Sequence, residues 1–319
     1  MSVRRLLQAL ALTAGSVGLA NGAAWAAPFA YVPNEKSGTV SVIDLANNTV
    51  TDSIAVGAKP RGIGISGDGK YLFVSDQPSS ALLVVDLQKK AVASKIELGE
   101  SPEGVSVSPD GATVAAAVEA SNSVVLIDAA SGKVKATVKT RGRNPEHAVF
   151  SPDGRWLYVS AEEADTVDVV DLSARRQVAS IKVGERPRGI AFTPDGKRAY
   201  VACENADKVF AIDVPGKRVV AEIPAGKRVN GVAMAPDGRI VYVSNGGAAS
   251  VMAIDTAQDR VVATIPVGQR PWNMAVTADG TRLLVANGRS GTVSVIDTAK
   301  AEVAAEIKVG EFPWGVAIK

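Results

Sequence analysis

Cysteine and histidine each occur once in the 319 residues, as Cys203 and His147. One cysteine rules out an intramolecular disulfide framework, so the core has to hold the fold. One histidine, with no second histidine or free cysteine pattern to join it, argues against the zinc and copper sites that these residues build together. No CxxCH is present, which excludes covalent c-type haem, and no GxSxG nucleophile elbow appears. No apolar run reaches the ~18 residues a membrane span needs. A charge excess is missing as well. With Arg4 and Arg5 set aside in the leader described below, 33 basic side chains face 33 acidic ones. Nucleic acid and anionic membranes are therefore disfavoured as partners, because phosphate neutralisation supplies most of such affinity. Apolar residues at 46% and charged residues at 21% are enough for a large core and exclude disorder.

Residues 1–26 read differently from the rest. Arg4 and Arg5 precede an uncharged apolar stretch from Leu6 to Leu19, and Ala24-Trp25-Ala26 forms a small-x-small cleavage site. This pattern is that of a cleaved signal peptide, with a mature domain over 27–319 and a periplasmic location. The flanks of the arginine pair, Val3 and Leu6-Leu7-Gln8, leave ordinary secretion and twin-arginine export both open.

What the mature chain does contain is a repeat. Asp44, Asp86, Asp128, Asp171, Asp213, Asp255 and Asp297 each end an apolar strand, at spacings of 42, 42, 43, 42, 42 and 42. Tyr31, Phe73, Ala115, Tyr158, Tyr200, Tyr242 and Leu284 keep that register, as do the glycines from Gly57 to Gly310. A period of this length, made of short β-branched runs punctuated by Gly, Pro, Asn and Asp, predicts propeller blades of four antiparallel strands. In the fourth copy, Arg155–Ser160 reads as strand B, Thr166–Asp171 as C, Gln177–Val183 as D and Arg188–Thr193 as the following A. Ser108-Pro109-Asp110-Gly111 and its relatives predict type I turns between A and B. One carboxylate per turn cannot supply the six or more oxygens calcium takes. The Asp residues ending strand C are expected to cap the turn into D. Asn47-Asn48-Thr49, formally a glycosylation sequon, reads as a simple turn. The first strand is a B and the last an A. A seven-bladed all-β propeller therefore requires the C-terminal strand, over Trp314–Lys319, to join the N-terminal B, C and D strands and close the ring.

Tyr31-Val32-Pro33-Asn34, Tyr242-Val243-Ser244-Asn245 and Leu284-Val285-Ala286-Asn287, followed by Thr292-Val293-Ser294-Val295-Ile296-Asp297 and Val309-Gly310, resemble the YVTN family of β-propeller repeats. The resemblance covers the whole mature chain. It implies the architecture but not the chemistry, since such propellers serve as scaffolds, cofactor holders and enzymes alike. Ile-Asp or Val-Asp stands where the WD40 pattern places Trp-Asp, and no Gly-His pair precedes strand A. Within the family, Arg143-Asn144-Pro145-Glu146 makes the chain similar to exported seven-repeat members associated with pyrroloquinoline-quinone-dependent (PQQ-dependent) alcohol catabolism.

Function in such a fold is sought where the D-to-A loops deliver the chain to the innermost strands. The residues expected just before strand A are Arg61, Glu103, Glu146, Arg188, Asn230, Trp272 and Trp314. His147 and Asn273 replace the glycine found next to them in the other copies. An apolar wall with convergent polar groups is the default binding site, while Arg–Glu pairing across the mouth with the indoles as a plug is the bland account. The D-to-A loops carry nine Lys and Arg side chains against five Glu. The acidic B-to-C loops are expected farther out, so the axis should attract a small anionic or aromatic ligand. Cys203, in an apolar strand, reads as a core residue. The reading is a monomeric, non-enzymatic binding or scaffold protein, with no metal and no cofactor, whose partner is a periplasmic protein or such a ligand, and the family resemblance implies a place accessory to a quinoprotein dehydrogenase pathway. The rival reading is a haem or PQQ carrier, or a lactonase-type enzyme. It would use His147 as axial ligand, Arg61 or Arg188 on propionates, or Glu103, Glu146 and His147 as acid and base.

Overall fold

In the computed structural model, which describes residues 28–319, every regular element is a β-strand, and the strands form seven four-stranded antiparallel sheets. Blade 4 shows the pattern: A is Pro145–Phe150, B is Trp156–Ala161, C is Thr166–Asp171 and D is Arg176–Lys182. Arg188 lies in Pro187–Phe192, the A strand of blade 5. Each sequence copy thus gives B, C and D to one blade and A to the next.

Burial explains the sequence pattern strand by strand. The B strands, covered on both faces by neighbouring blades, are almost continuously apolar, as in Trp156-Leu157-Tyr158-Val159-Ser160-Ala161. The D strands, at the rim, alternate exposed and covered residues, as in Arg218–Pro224. Tyr158, Val201, Cys203 and Phe210 pack between blades 4 and 5 in the largest of the core clusters. Cys203 is fully buried there, and burial pushes its thiol up to about 12.

The ring closes as the register requires. Ala317 and Ile318 pair with Tyr31 and Ala30, and Pro313 bridges Asn34. The Trp314 N–H donates to Pro33 O at 2.9 Å and the Lys319 N–H to Phe29 O at 3.0 Å. The regular part of this strand, Ala317–Ile318, is shorter than the six residues expected, because Trp314 and Gly315 fall where strand A leaves its ladder in other blades.

Six of the seven Asp residues ending strand C do cap their turns. Asp171 Oδ1, for instance, accepts from the Ser173 and Ala174 N–H groups at 3.0 Å. Asp44, Asp86, Asp128, Asp255 and Asp297 accept equivalent bonds from backbone N–H groups two or three residues on. Asp213 is the exception. Pro215 stands two residues on and has no N–H to give, so this carboxylate pairs with Arg218 at 3.3 Å.

Deleting Pro313–Lys319 removes the buried Trp314 and Ala317, the cover over Ala30, Val32 and Leu284, and the whole fourth strand of blade 1. The loss should reach about 5 kcal/mol and lower the melting temperature by roughly 10–20 °C, followed by circular dichroism. A truncated protein melting with the intact one would overturn closure as a source of stability.

Candidate binding mouth

Strand A begins with a pair to strand B and then bulges. In blade 2, Pro60 pairs with Asp76 and Ile63 with Val74, so Arg61 and Gly62 together face Ser75 alone. The same two-against-one step recurs in blades 3 to 7, at Glu103-Gly104, Glu146-His147, Arg188-Gly189, Asn230-Gly231 and Trp272-Asn273. In blades 2 to 7 the ring residue is therefore the second residue of strand A rather than the residue before it, while Trp314 precedes the short strand Ala317–Ile318. A bulge re-aims side chains and frees an N–H from the ladder. Ser75, Ser160 and Ser244 take up the freed N–H groups of Gly62, His147 and Gly231 at 2.8–3.0 Å.

A second ring, not anticipated from the sequence, stands directly behind the first. It consists of the residue following strand B in each blade: Glu35, Gln77, Glu119, Glu162, Glu204, Gly246 and Gly288. The expectation that the acidic B-to-C loops lie too far out to matter is therefore corrected. Strand B is only one strand spacing, about 4.8 Å, from strand A, well within the reach of a Glu side chain. Arg61 pairs with Glu103 at 2.6 Å and with Glu35 at 3.3 Å. Arg188 pairs with Glu146 at 3.4 Å, Glu204 at 3.5 Å and also Glu162. Glu204, fully buried, collects Arg186 at 3.2 Å and Arg228 and Arg270 at 2.9 Å besides. Burial opposes its charge, but these guanidiniums outweigh burial and hold its carboxyl below the usual range.

The mouth is consequently polarised rather than uniformly basic. Four arginines and two glutamates sit over blades 4 to 6, and four glutamates with Arg61 over blades 1 to 4. On the acidic side the carboxylates of Glu103, Glu119 and Glu146 lie within 4.8 Å of one another. Burial, then the Glu146 charge, push Glu103 up to about 8 despite Arg61, and Glu119 is raised for the same two reasons. A proton on Glu103 at neutral pH relieves the repulsion of the trio.

His147 and Trp314 meet across the axis. Their rings stack at 5.5 Å and 13°, although they come from blades 4 and 1. The Asn273 amide donates to Trp314 O at 3.3 Å. Trp314, 6% exposed, is thus packed against His147 inside the mouth, while Trp272 keeps a partly open face beside Phe312. A Cβ on Gly288 would come within 2.6 Å of the Trp272 ring, so glycine in the second ring makes room for that indole. Burial lowers the His147 pKa, with Glu146 opposing and Arg188 assisting, so the imidazole is neutral. Six polar atoms of the first ring and its neighbour are buried without a hydrogen-bond partner: Arg61 Nε and Arg188 Nε, held only in ion pairs at 3.3 and 3.5 Å, and Glu103 Oε2, His147 Nδ1 and Nε2, and Asn230 Nδ2. Stacking on Trp314 covers a face of the imidazole, whereas haem iron would be bound by one of its in-plane nitrogens, both of which are without a hydrogen-bond partner. The open clefts of about 330 to 580 Å³ lie elsewhere, none of them lined by His147.

Comparison with known proteins agrees with this architecture. The fold is a seven-bladed β-propeller. The model of the family "Lactonase, 7-bladed beta-propeller" matches residues 171–305, that of the cytochrome D1 heme domain residues 110–230, and that of YNCE-like beta-propellers residues 11–112. Each covers less than half of the chain. No curated protein matches. A solved structure of Kuenenia stuttgartiensis hydrazine synthase contains a chain 26% identical to this one. It matches over 84% of this chain and 92% of its own, with a TM-score of 0.78. A functionally unknown protein from Desulfotomaculum acetoxidans, 18% identical over 91% of this chain and 98% of its own with a TM-score of 0.79, shares the fold.

The raised Glu103 carboxyl has a defined effect on stability. Folded protein holds a proton there that the unfolded chain releases above about 4.5, so stability falls as pH rises towards about 8. His147 acts with the opposite sign, and only below its ordinary 6.5, so the interval from pH 7 to 8.5 leaves the raised carboxyls of the trio, and comparison with Glu103→Gln separates Glu103 from Glu119. Glu103→Gln should melt higher than the parent at pH 8 by about 3 °C or more and flatten the slope in that interval. Thermal melts across it would show parallel curves if Glu103 were an ordinary carboxylate.

Proposed function

We propose that this protein is an exported, non-enzymatic binding propeller that takes a small planar ligand at its D-to-A mouth. The observation that carries the reading is the set of buried, unpaired polar atoms there, since folded proteins leave almost none without a protein, water or ligand partner. Their placement gives the ligand's chemistry. Asn230 Nδ2, on the arginine-rich side, calls for an acceptor such as a carboxylate, and Glu103 calls for a donor or shares its own proton. The accessible face of Trp272 supplies a stacking wall. A ligand anionic at one end and hydrogen-bond donating at the other satisfies both halves. Localisation to the periplasm rests on the leader pattern of residues 1–26, which lies outside the described residues. A role beside a quinoprotein dehydrogenase rests on the resemblance to exported YVTN propellers.

4-Aminobenzoate, planar with one carboxylate and one amine, is a direct probe. It should change tryptophan fluorescence saturably, and Asn230→Ala should weaken it about tenfold. Benzene-1,3,5-tricarboxylate, which has no amine, should bind less well, and Arg61→Ala with Arg188→Ala together should weaken both. No fluorescence change with either probe would make the mouth a plug and move function to the blade surfaces.

A second reading is favoured by the lactonase match together with a protonated Glu103 beside Glu146, an acid placed next to a base. Lactone hydrolysis lost in Glu103→Gln would select it over simple binding.

A further inference from the structure

On the face opposite the mouth, the A–B turns of successive blades leave a row of clefts between blades. Two side chains of each strand B fill them. The outer position is Phe29, Tyr71, Thr113, Trp156, Arg198, Ile240 and Arg282, and the inner one is Tyr31, Phe73, Ala115, Tyr158, Tyr200, Tyr242 and Leu284. Only blade 3, with Thr113 and Ala115, is small at both.

The filled clefts show what normally sits there. Between blades 4 and 5 the Tyr158 ring packs edge-on against Phe192 at 4.8 Å, and its hydroxyl points to Val214 O at 3.5 Å. Trp156 lies over the entrance, covered by Lys217 with its ammonium 4.6 Å from the ring centre. Between blades 5 and 6 the Tyr200 hydroxyl reaches Thr256 O and Asp259, and Arg198 pairs with Asp259 at 2.6 Å. Each of these two clefts retains about 390 Å³ of open space, and neither reaches the apolar floor of Phe192 or its equivalent.

Between blades 3 and 4 both fillers are missing. Leu126 and Leu172 stand where the next cleft has Val169 and Val214, and they help to cover Ala115, which is fully buried. They do not make up the missing volume. About 580 Å³ stays open, and its floor is now the apolar set Leu126, Phe150 and Leu172. Arg175 holds the place of Lys217 at the rim, with no aromatic ring beneath it and its Nη1 donating to Lys135 O at 3.4 Å, while the Lys135 ammonium also lines the cleft and donates to Thr113 Oγ1 at 3.1 Å. The carboxylates of Asp110 and Asp153 at this rim are engaged by their own turns, through Ser108 and the Ala112 N–H and through Ser151 and the Arg155 N–H.

We propose that the cleft between blades 3 and 4 is a second binding site, for a small phenol or similar hydroxylated aryl ring. The ring takes the place that Trp156 and Tyr158 fill one blade on. It packs on Phe150, lies under the Arg175 guanidinium and directs its hydroxyl to the Leu172 carbonyl, the counterpart of Val214 O. A cleft with an apolar floor and a defined missing side chain can take the fragment that would fill it, its polar rim meeting the hydroxyl. This site is independent of the mouth and stands whether or not the mouth binds a ligand.

The tyrosine side chain itself is p-cresol, which is the probe. Titration of the mature protein by calorimetry and saturation-transfer NMR should give one site. Thr113→Trp and Ala115→Tyr, which restore the side chains of the next blade, should each weaken p-cresol at least about tenfold and raise the melting temperature. Tyr158→Ala should do the reverse, lowering the melting temperature and adding a second p-cresol site. Arg175→Ala alters an exposed side chain, so it keeps the fold and should weaken the probe severalfold even if both filling variants fail to fold. Absence of saturation in the parent overturns the proposal. So does binding undiminished in the filling variants that fold and in Arg175→Ala, because the probe would then be seated elsewhere.

Discussion

The constraint on which the rest of this molecule depends is the convergence of seven inner strands on one axis. Near the mouth, successive A strands come so close that a Cβ on Gly104 or Gly189 would stand 2.7 Å from a carbonyl oxygen of the next blade. Glycine is the ordinary answer to backbone approach of this kind. The bulge is the companion response. It spends two residues of A against one of B, turns both away from the ladder, and leaves the first free to carry a functional side chain. The ring of Arg61, Glu103, Glu146, Arg188, Asn230, Trp272 and Trp314 is thus a product of crowding before it is a product of function.

The second ring shows why counting charges along loops is a poor guide to a mouth. The D-to-A loops alone carry a basic excess, and the B-to-C turns cancel most of it at contact distance. Buried ion pairs of this kind bring little net stability, because desolvation consumes most of the Coulomb gain. What they do establish is direction. Glu204 gathers four guanidiniums on one side, while Glu103, Glu119 and Glu146 crowd each other on the other. A field with a fixed orientation across a narrow opening selects for a ligand's orientation as much as for its charge.

The architecture was legible in the sequence because period and strand pattern repeat seven times, and errors in one copy are corrected by the others. The closing strand, the turn glycines and the C-strand aspartates followed from register alone, apart from Asp213, whose turn has a proline where the cap needs an N–H. The first ring was legible to within a residue, the shift being the bulge, which has no residue signature stronger than a serine at position 75, 160 or 244. The second ring was missed although it keeps the same period, because the turn after strand B was treated as rim. Nor does a sequence say which side chains meet across an axis. His147 and Trp314 are 167 positions apart, and only the folded ring brings them face to face.

The offset between sequence copy and blade has a consequence for how such a chain can change over generations. A copy runs from B to the following A, so the boundary between copies falls inside a sheet, and every blade is sewn together from two neighbouring copies, the first blade from the two ends of the chain. Gain or loss of one whole copy by unequal recombination would therefore leave each sheet with four strands and the ends still paired. Blade number can drift while closure is preserved, and a single copy such as the third is free to lose its large side chains without loosening the ring.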